Sequence, residues 1–461
     1  EYFYNRGYTF ECLADMQSND SADNAEINFC QYIYLQYELI AKRNFPFLKK
    51  KPVSLNTLDM QTQENWKLAI DYIREHTEYD VDMIYENLIR LYDVSDLQKK
   101  LLLQYVISEK KAIKLLKNAV IVVNVRRPDS ISYVKDYLER IKNNIDIIIY
   151  SNDEEVCNCL CEKNYKNYLG NIEDDKIISD IQKYEYVCFI DDCNIMNKER
   201  FSTIEKSYFY CIWENLVKSV SYIAGIVNLL NNDKWLGVLT APAPLHADYF
   251  GKKYRHWIKN YRQIADIVKN REISCVMSND KMPIVTSNNV WIRREVLISA
   301  IEHKVLKSKY INFLWSYIAQ GVGLYSGVVE NETYSCMNQI NQQTYLDSMI
   351  AQMYRQDMTI STFNDLQKSI TGIHIREFCD KYKKIYVYGT GAMADEYSSL
   401  IDNINGYIIS DGQPKVKDKC VIYLSELNES NDIGIIVCLN EKNQAQVVPL
   451  LEERNFNYLC I

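Results

Sequence analysis

Ala119-Val120-Ile121-Val122-Val123-Asn124-Val125 is a short, nearly unbroken apolar run, the pattern of a parallel strand buried on both faces. Pro128-Asp129-Ser130 follows, and Ser130 or Asp129 can cap a helix running to about Lys142. Ile145-Asp146-Ile147-Ile148-Ile149-Tyr150 is a second buried strand. Strand, helix and strand make a βαβ unit, so an α/β fold with a parallel sheet begins here. Downstream, Tyr186 to Ile190, Trp235 to Leu239 and Val285 to Trp291 read as further strands. Between and after them, Asp175 to Lys183, Phe209 to Leu230 and Arg294 to Glu302 read as helices, whereas Tyr310 to Met353 is aromatic and mixed.

Upstream of that unit, residues 1–118 read as mostly helical. Asn65 to His76 and Asp80 to Tyr92 place apolar residues such as Val81, Ile84, Tyr85, Leu88 and Leu91 at helical spacing, and helical signals continue from Asp96 to Leu116. Downstream, Ile385-Tyr386-Val387-Tyr388-Gly389 is a strand entering a glycine turn. A helix over Ala392 to Ile401 and alternating strands and helices to Ile461 complete a small Rossmann-like unit. The expected organisation is a helical region 1–118, an α/β domain 119–370 and a Rossmann-like domain 371–461.

Among the 461 residues, 47% are hydrophobic and 25% charged, the balance of a globular protein. The net charge of −8 argues against nucleic acid as a partner, because phosphate neutralisation needs a basic excess. The chain opens at Glu1 rather than Met and reads as a piece of a longer one. No apolar run is long enough to span a bilayer, so membrane contact would be peripheral and the setting cytoplasmic. A segment from Lys42 to Lys51 sets five basic residues around Phe45, Phe47 and Leu48; it reads as a solvated loop, with anionic lipid the alternative. The 14 cysteines, several inside strands, read as small buried hydrophobes of a reducing compartment. Cys157, Cys159 and Cys161 lack a second pair at zinc spacing.

Three segments carry candidate chemistry. The strand Tyr186 to Ile190 delivers Asp191 and Asp192 to a loop at its carboxyl end, where open α/β sheets bind ligands. Hard carboxylate oxygens suit Mg²⁺ or Mn²⁺ on the diphosphate of a nucleotide-sugar donor, and such a metal steadies the charge on the departing nucleotide. Alternatively, either Asp caps the next turn. Leu236 to Gly251 is a strand entering a Pro-stiffened loop with His246 and Asp248, either of which can take a proton from an acceptor hydroxyl. Thr286 to Arg293 sets Asn288 and Asn289 beside Trp291 and Arg293, a mix suited to sugar hydroxyls, a sugar face and phosphate. In the plainer reading Trp291 packs in the core and the Asn pair is a turn.

These segments, in this order, resemble the rhamnan synthesis protein F family of bacterial polysaccharide assembly. The matching stretches are Val120–Asn124, Tyr186–Asn194, Leu236–Gly251 and Thr286–Arg293, with Tyr79 to Arg90 upstream, and the resemblance covers roughly residues 1–350. Where many members carry a His- or Lys-containing turn after the third strand, this chain has Asp191-Asp192-Cys193. The resemblance implies a GT-A-like glycosyltransferase domain. It implies sugar transfer from a nucleotide donor, often dTDP-rhamnose, onto a glycan or lipid-linked glycan. Asn124 joins the expected donor-binding set through it.

Gly389-Thr390-Gly391-Ala392-Met393-Ala394 matches G-x-G-x-x-A, and Asp411 stands about 20 residues on, where a ribose-binding acid would sit. A lone motif is weak, and the glycines equally serve a tight strand–helix turn. The two other functional classes to weigh are therefore a nucleotide-dependent oxidoreductase or epimerase and a non-catalytic assembly scaffold.

Overall fold

A computed structural model describes residues 36–48, 67–109, 116–161, 165–172, 174–192, 203–243, 247–279, 281–355, 363–416, 418–428 and 432–461. The chain divides into two compact units, with the boundary between Thr344 and Tyr345.

The first unit is built on an eight-stranded sheet: β1 (Gln104–Ile107), β2 (Leu116–Asn124), β3 (Ile145–Ser151), β4 (Tyr165–Leu169), β5 (Tyr186–Asp191), β6 (Leu236–Thr240), β7 (Val290–Arg293) and β8 (Tyr325–Asn331). The spatial order is β1-β8-β6-β7-β5-β2-β3-β4. All neighbours are parallel except β7, which runs antiparallel between β5 and β6. The mixed α/β fold expected of a GT-A-like domain is thus present.

The apolar runs explain the layering, because successive strand residues face opposite sides. In β2, Ala119, Ile121 and Val123 enter one core, while Val120 and Val122 enter the other. In β5, Tyr186, Cys188 and Ile190 divide from Val187 and Phe189 in the same way. The first core is roofed by the helices Ile131–Ile141, Thr203–Leu216 and Val220–Asn232, and the second by Arg294–Glu302 and Ile311–Gly321. A sheet covered on both sides can use residues without polar alternation, as β2 does. The cysteines of β5 and of Cys438 are buried free thiols, as small hydrophobes should be.

Several expectations are corrected. The helix expected over 96–116 ends at Leu101; Leu102 takes a left-handed turn (φ 51°), and β1 then joins the sheet beside β8. Residues 285–289 are loop, and only Val290–Arg293 is strand. Ser130 does not cap its helix; its hydroxyl donates to Asp192 and to Arg127 O instead. The strands β4 and β8 had no counterpart in the sequence reading.

The second unit carries a parallel sheet of β9 (Lys384–Tyr388), β10 (Gly406–Ile409), β11 (Val421–Tyr423), β12 (Ile433–Val437) and β13 (Asn457–Cys460), in the order β11-β10-β9-β12-β13. This is the expected Rossmann-like arrangement.

Ile121, fully buried at the centre of the large sheet, gives a direct test of this packing. Ile121→Ala is expected to cost about 2–5 kcal/mol, read as a lower urea midpoint with an unchanged slope.

Candidate functional site

The carboxyl ends of β2 and β5 lie side by side, with Asn124 in register with Asp191. Both carboxylates that follow are buried, Asp191 at 4% exposure and Asp192 at 2%, yet they do different work. Asp192 reaches across to the chain leaving β2. Its carboxylate accepts from Arg126 N at 3.1 Å, Arg127 N at 2.9 Å and Ser130 Oγ at 2.6 Å. Those bonds satisfy main-chain donors that precede a helix, but on the turn after β2 rather than on the turn that follows Asp192 in sequence.

Asp191 faces Asn289. Its main-chain N–H donates to Asn289 Oδ1 at 2.7 Å, and Asn289 Nδ2 donates to Asp191 Oδ1 at 3.1 Å. Thr240 Oγ1 in turn donates to Asn289 O at 3.3 Å, which ties β6 to the same loop. Beneath, Trp213 Nε1 donates to Asp191 O at 3.1 Å. Asn288 sits one residue away and accepts from Trp315 Nε1 at 3.0 Å. Trp315 also stacks on Phe189, so one ring braces both β5 and the polar loop.

Arg126 is an exposed cation at this edge, and sequence reasoning passed over it. Its guanidinium donates to the Asn124 amide oxygen from Nη2 at 3.0 Å and from Nε at 2.8 Å, with the Asn124 amide turned to offer its oxygen. Arg126 itself is exposed. Burial pushes the Tyr150 hydroxyl pKa up, Asp191 pushes it further, and Arg126 opposes. Tyr150 thus lies within electrostatic reach of both. The signal available in the sequence was an Arg two residues past a buried strand, ahead of a helix, where anions are held.

Asn124, Asp191, Asp192, Asn288 and Asn289 are therefore brought to one edge. Trp291 and Arg293 are not, and their donor-binding reading is corrected. Trp291 is fully buried and donates Nε1 to Leu216 O at 3.0 Å, so no ring face is open to a sugar. Arg293 pairs with Tyr186 at the opposite end of β5, because β7 runs antiparallel. Its guanidinium donates to Leu236 O and Asp233 O at 2.9 Å and to Leu230 O, holding the strand–helix turns of the amino edge.

The two carboxylates expected to hold a metal differ in what they bond. Asp192 spends both oxygens on the Arg126–Ser130 turn, which leaves Asp191 as the carboxylate of the pair turned toward the Asn289 loop. No cluster of three His, Cys, Asp or Glu suited to a metal occurs among the described residues. In the C-x-C-x-C segment, Cys157 is buried while Cys159 and Cys161 are exposed. The base candidates are not placed by their side chains: His246 lies outside the described residues, and Asp248 falls in the first turn of the helix Ala247–Asn270, with its side chain likewise outside them. The basic segment ends a helix at Lys42 and Arg43, and Phe45, Pro46 and Phe47 line an apolar groove of about 1020 Å³; Lys49 to Lys51 lie outside the described residues. No helix among the described residues is long and apolar enough to cross a membrane.

In the second unit, Gly389 has φ +113°, and a Cβ there would stand 2.8 Å from Cys438 O. The close approach of β12 thus requires this glycine without any ligand. Lys419 Nζ donates to Thr390 O at 3.1 Å over the turn, Gly391 has open space around it, and Asp411 accepts from Ser425 Oγ.

The split between the two carboxylates is testable. Asp192→Ala strands buried main-chain donors, at about 1–3 kcal/mol each, and should lower the urea midpoint markedly. Asp191→Asn keeps an oxygen for Asn289 and should leave the unfolding free energy within about 1 kcal/mol of the parent.

No curated protein matches the chain. One solved structure, titled CMP:2-keto-3-deoxy-manno-octonic acid synthetase complexed with CTP, is similar at 11% identity over 50% of this chain and 99% of that one, with a TM-score of 0.25. A likeness that distant bears on neither mechanism nor ligand. The model of the family described as rhamnan synthesis protein F matches residues 1–312, a span that takes in β1 to β7 and the whole Asn124–Asp191–Asn289 edge. The chain belongs to the rhamnan synthesis protein F family, and with it to polysaccharide biosynthesis.

Proposed function

We propose that the first unit is a glycosyltransferase that moves a sugar, rhamnose being the family's namesake, from a nucleotide-sugar donor to a cell-surface glycan or lipid-linked glycan. The observation that carries this reading is the presence of Arg126 and Asp191 together at the carboxyl edge of β2 and β5, both within electrostatic reach of Tyr150. Arg126 is exposed and steadied by Asn124, an arrangement suited to a donor diphosphate. Asp191 is braced by Asn289. In this reading Asp191 meets a divalent cation riding on the diphosphate, or a donor hydroxyl. A Mg²⁺ or Mn²⁺ there would supply charge neutralisation for the departing nucleotide. The chain's own part is to fix the diphosphate with Arg126 and to hold Asp191 in one orientation. Asp248 remains the proposed proton acceptor for the acceptor hydroxyl, with His246 the alternative. The second unit fits a structural or partner-binding role, since β12 already accounts for Gly389.

A thermal-shift screen against dTDP-, UDP-, GDP- and CDP-sugars, with and without Mn²⁺, tests the donor site. At least one donor should raise the melting point, because ligand that binds only the native state stabilises it. Arg126→Ala should weaken that donor by roughly ten- to a hundredfold, the value of a charge-assisted hydrogen bond, and Asp191→Asn should remove any Mn²⁺ requirement or binding with it. A shift of equal size in both variants, or none with any donor, sinks the reading.

A further inference from the structure

A polar cavity lies along the same sheet edge, beyond β7. It holds about 280 Å³ between the carboxyl ends of β6 and β8, and Thr240, Ser287, Gln104, Glu330, Asn338 and Gln342 give it its polar lining. Ile212, Pro242, Met282 and Ile284 form apolar walls. Glu330 is 1% exposed and Asn338 4%. Glu330 Oε1 accepts from Gln104 Nε2 at 2.8 Å and Asn338 Nδ2 at 3.0 Å, whereas Glu330 Oε2 and Asn338 Oδ1 have no hydrogen-bond partner. Burial pushes the Glu330 pKa up, against the pull of Asn338, Gln104 and Ser335.

The end of β8 is fixed independently of the cavity. Asn331 N donates to Asn215 Oδ1 at 2.8 Å, and Asn331 Nδ2 donates to Glu214 O at 3.1 Å. Glu330 is therefore presented by a rigid strand end, as preorganised sites require. Two buried acceptors without a partner, on residues that line a cavity, call for an occupant that donates hydrogen bonds. An anion is disfavoured beside a buried carboxyl group, and a wholly apolar guest would leave both acceptors unpaired at a cost of about 1–3 kcal/mol each. The volume is at the small end of ligand pockets, which begin at about 300 Å³. An uncharged, hydroxyl-rich ring with one apolar face satisfies all of these terms.

We propose that this cavity is a sugar subsite that holds a neutral pyranose of the glycan acceptor, with hydroxyls donating to Glu330 Oε2 and Asn338 Oδ1. The proposal rests on the transferase reading for the word acceptor, but the cavity's chemistry stands without it. Glu330 lies past residue 312, outside the span matched by the family model. The loop Thr286–Asn289 links the two places, since Ser287 lines the cavity and Asn289 holds Asp191.

Saturation-transfer NMR with the methyl glycosides of L-rhamnose, D-glucose, D-galactose and N-acetylglucosamine tests it on the full chain. At least one glycoside should receive transfer from the parent protein. In Glu330→Gln, which replaces Oε2 by a donor, that transfer should fall at least fivefold. Ile284→Trp fills the cavity without touching a polar group and should abolish transfer, with donor-induced melting shifts retained in both variants. No transfer to any glycoside, as expected of a cavity that holds only water, or equal transfer in parent and variants, overturns the subsite. Glycoside transfer without any nucleotide-sugar shift would instead leave the subsite standing and remove the donor reading.

Discussion

The bonds of Asp192 organise the edge on which everything functional has been placed. A carboxylate at the tip of β5 accepts two main-chain N–H groups and a hydroxyl from the turn that leaves β2. That turn would otherwise bring unsatisfied donors into a buried position, at a cost no surface contact could offset. Locking it sets the direction in which Arg126 projects and the angle at which the helix Ile131–Ile141 begins. Asp191, one residue earlier and so on the other side of the strand, is directed toward the Asn289 loop. Two adjacent acids thus divide between the Arg126–Ser130 turn and the Asn289 loop because the strand alternates.

Legibility in the sequence followed burial. β2, β3, β5 and β6 hold apolar runs with both faces covered, and they could be placed to within three residues. β1 and β4 are edge strands, Gln-Tyr-Val-Ile and Tyr-Lys-Asn-Tyr-Leu, and half-exposed residues leave little pattern over so short a length. β8 is fully buried, yet Ser326, Gly327 and Glu330 interrupt its apolar run and hid it. The hidden strand carries Glu330, the buried carboxyl group of the cavity between β6 and β8, so the two omissions have the same cause.

For the site, residue type was readable and direction was not. Thr286 to Arg293 looked like one ligand-facing segment, whereas its first half is a loop at the carboxyl edge and its second half a strand leading away. Nothing local distinguishes a parallel from an antiparallel strand. Only the long-range pairing with β5 and β6 decides that Asn289 stays with Asp191 while Arg293 travels to the opposite rim. The same pairing explains why an indole beside two amides is a core residue here rather than a platform for a sugar ring.

The antiparallel β7 also governs how the first unit can be assembled as the chain emerges. β2, β3, β4 and β5 can pair as soon as they are made, but β5 then presents an open ladder until residues 290–293 arrive roughly a hundred positions later, a long wait at about 5–20 residues per second. β1 waits longer still, since its sole partner among the described strands is β8. Through that interval the nascent sheet has an apolar, unpaired rim of the kind that recruits other chains. Closure of the sheet is thus a late event, completed by the two strands whose segments supply Asn289 and Glu330.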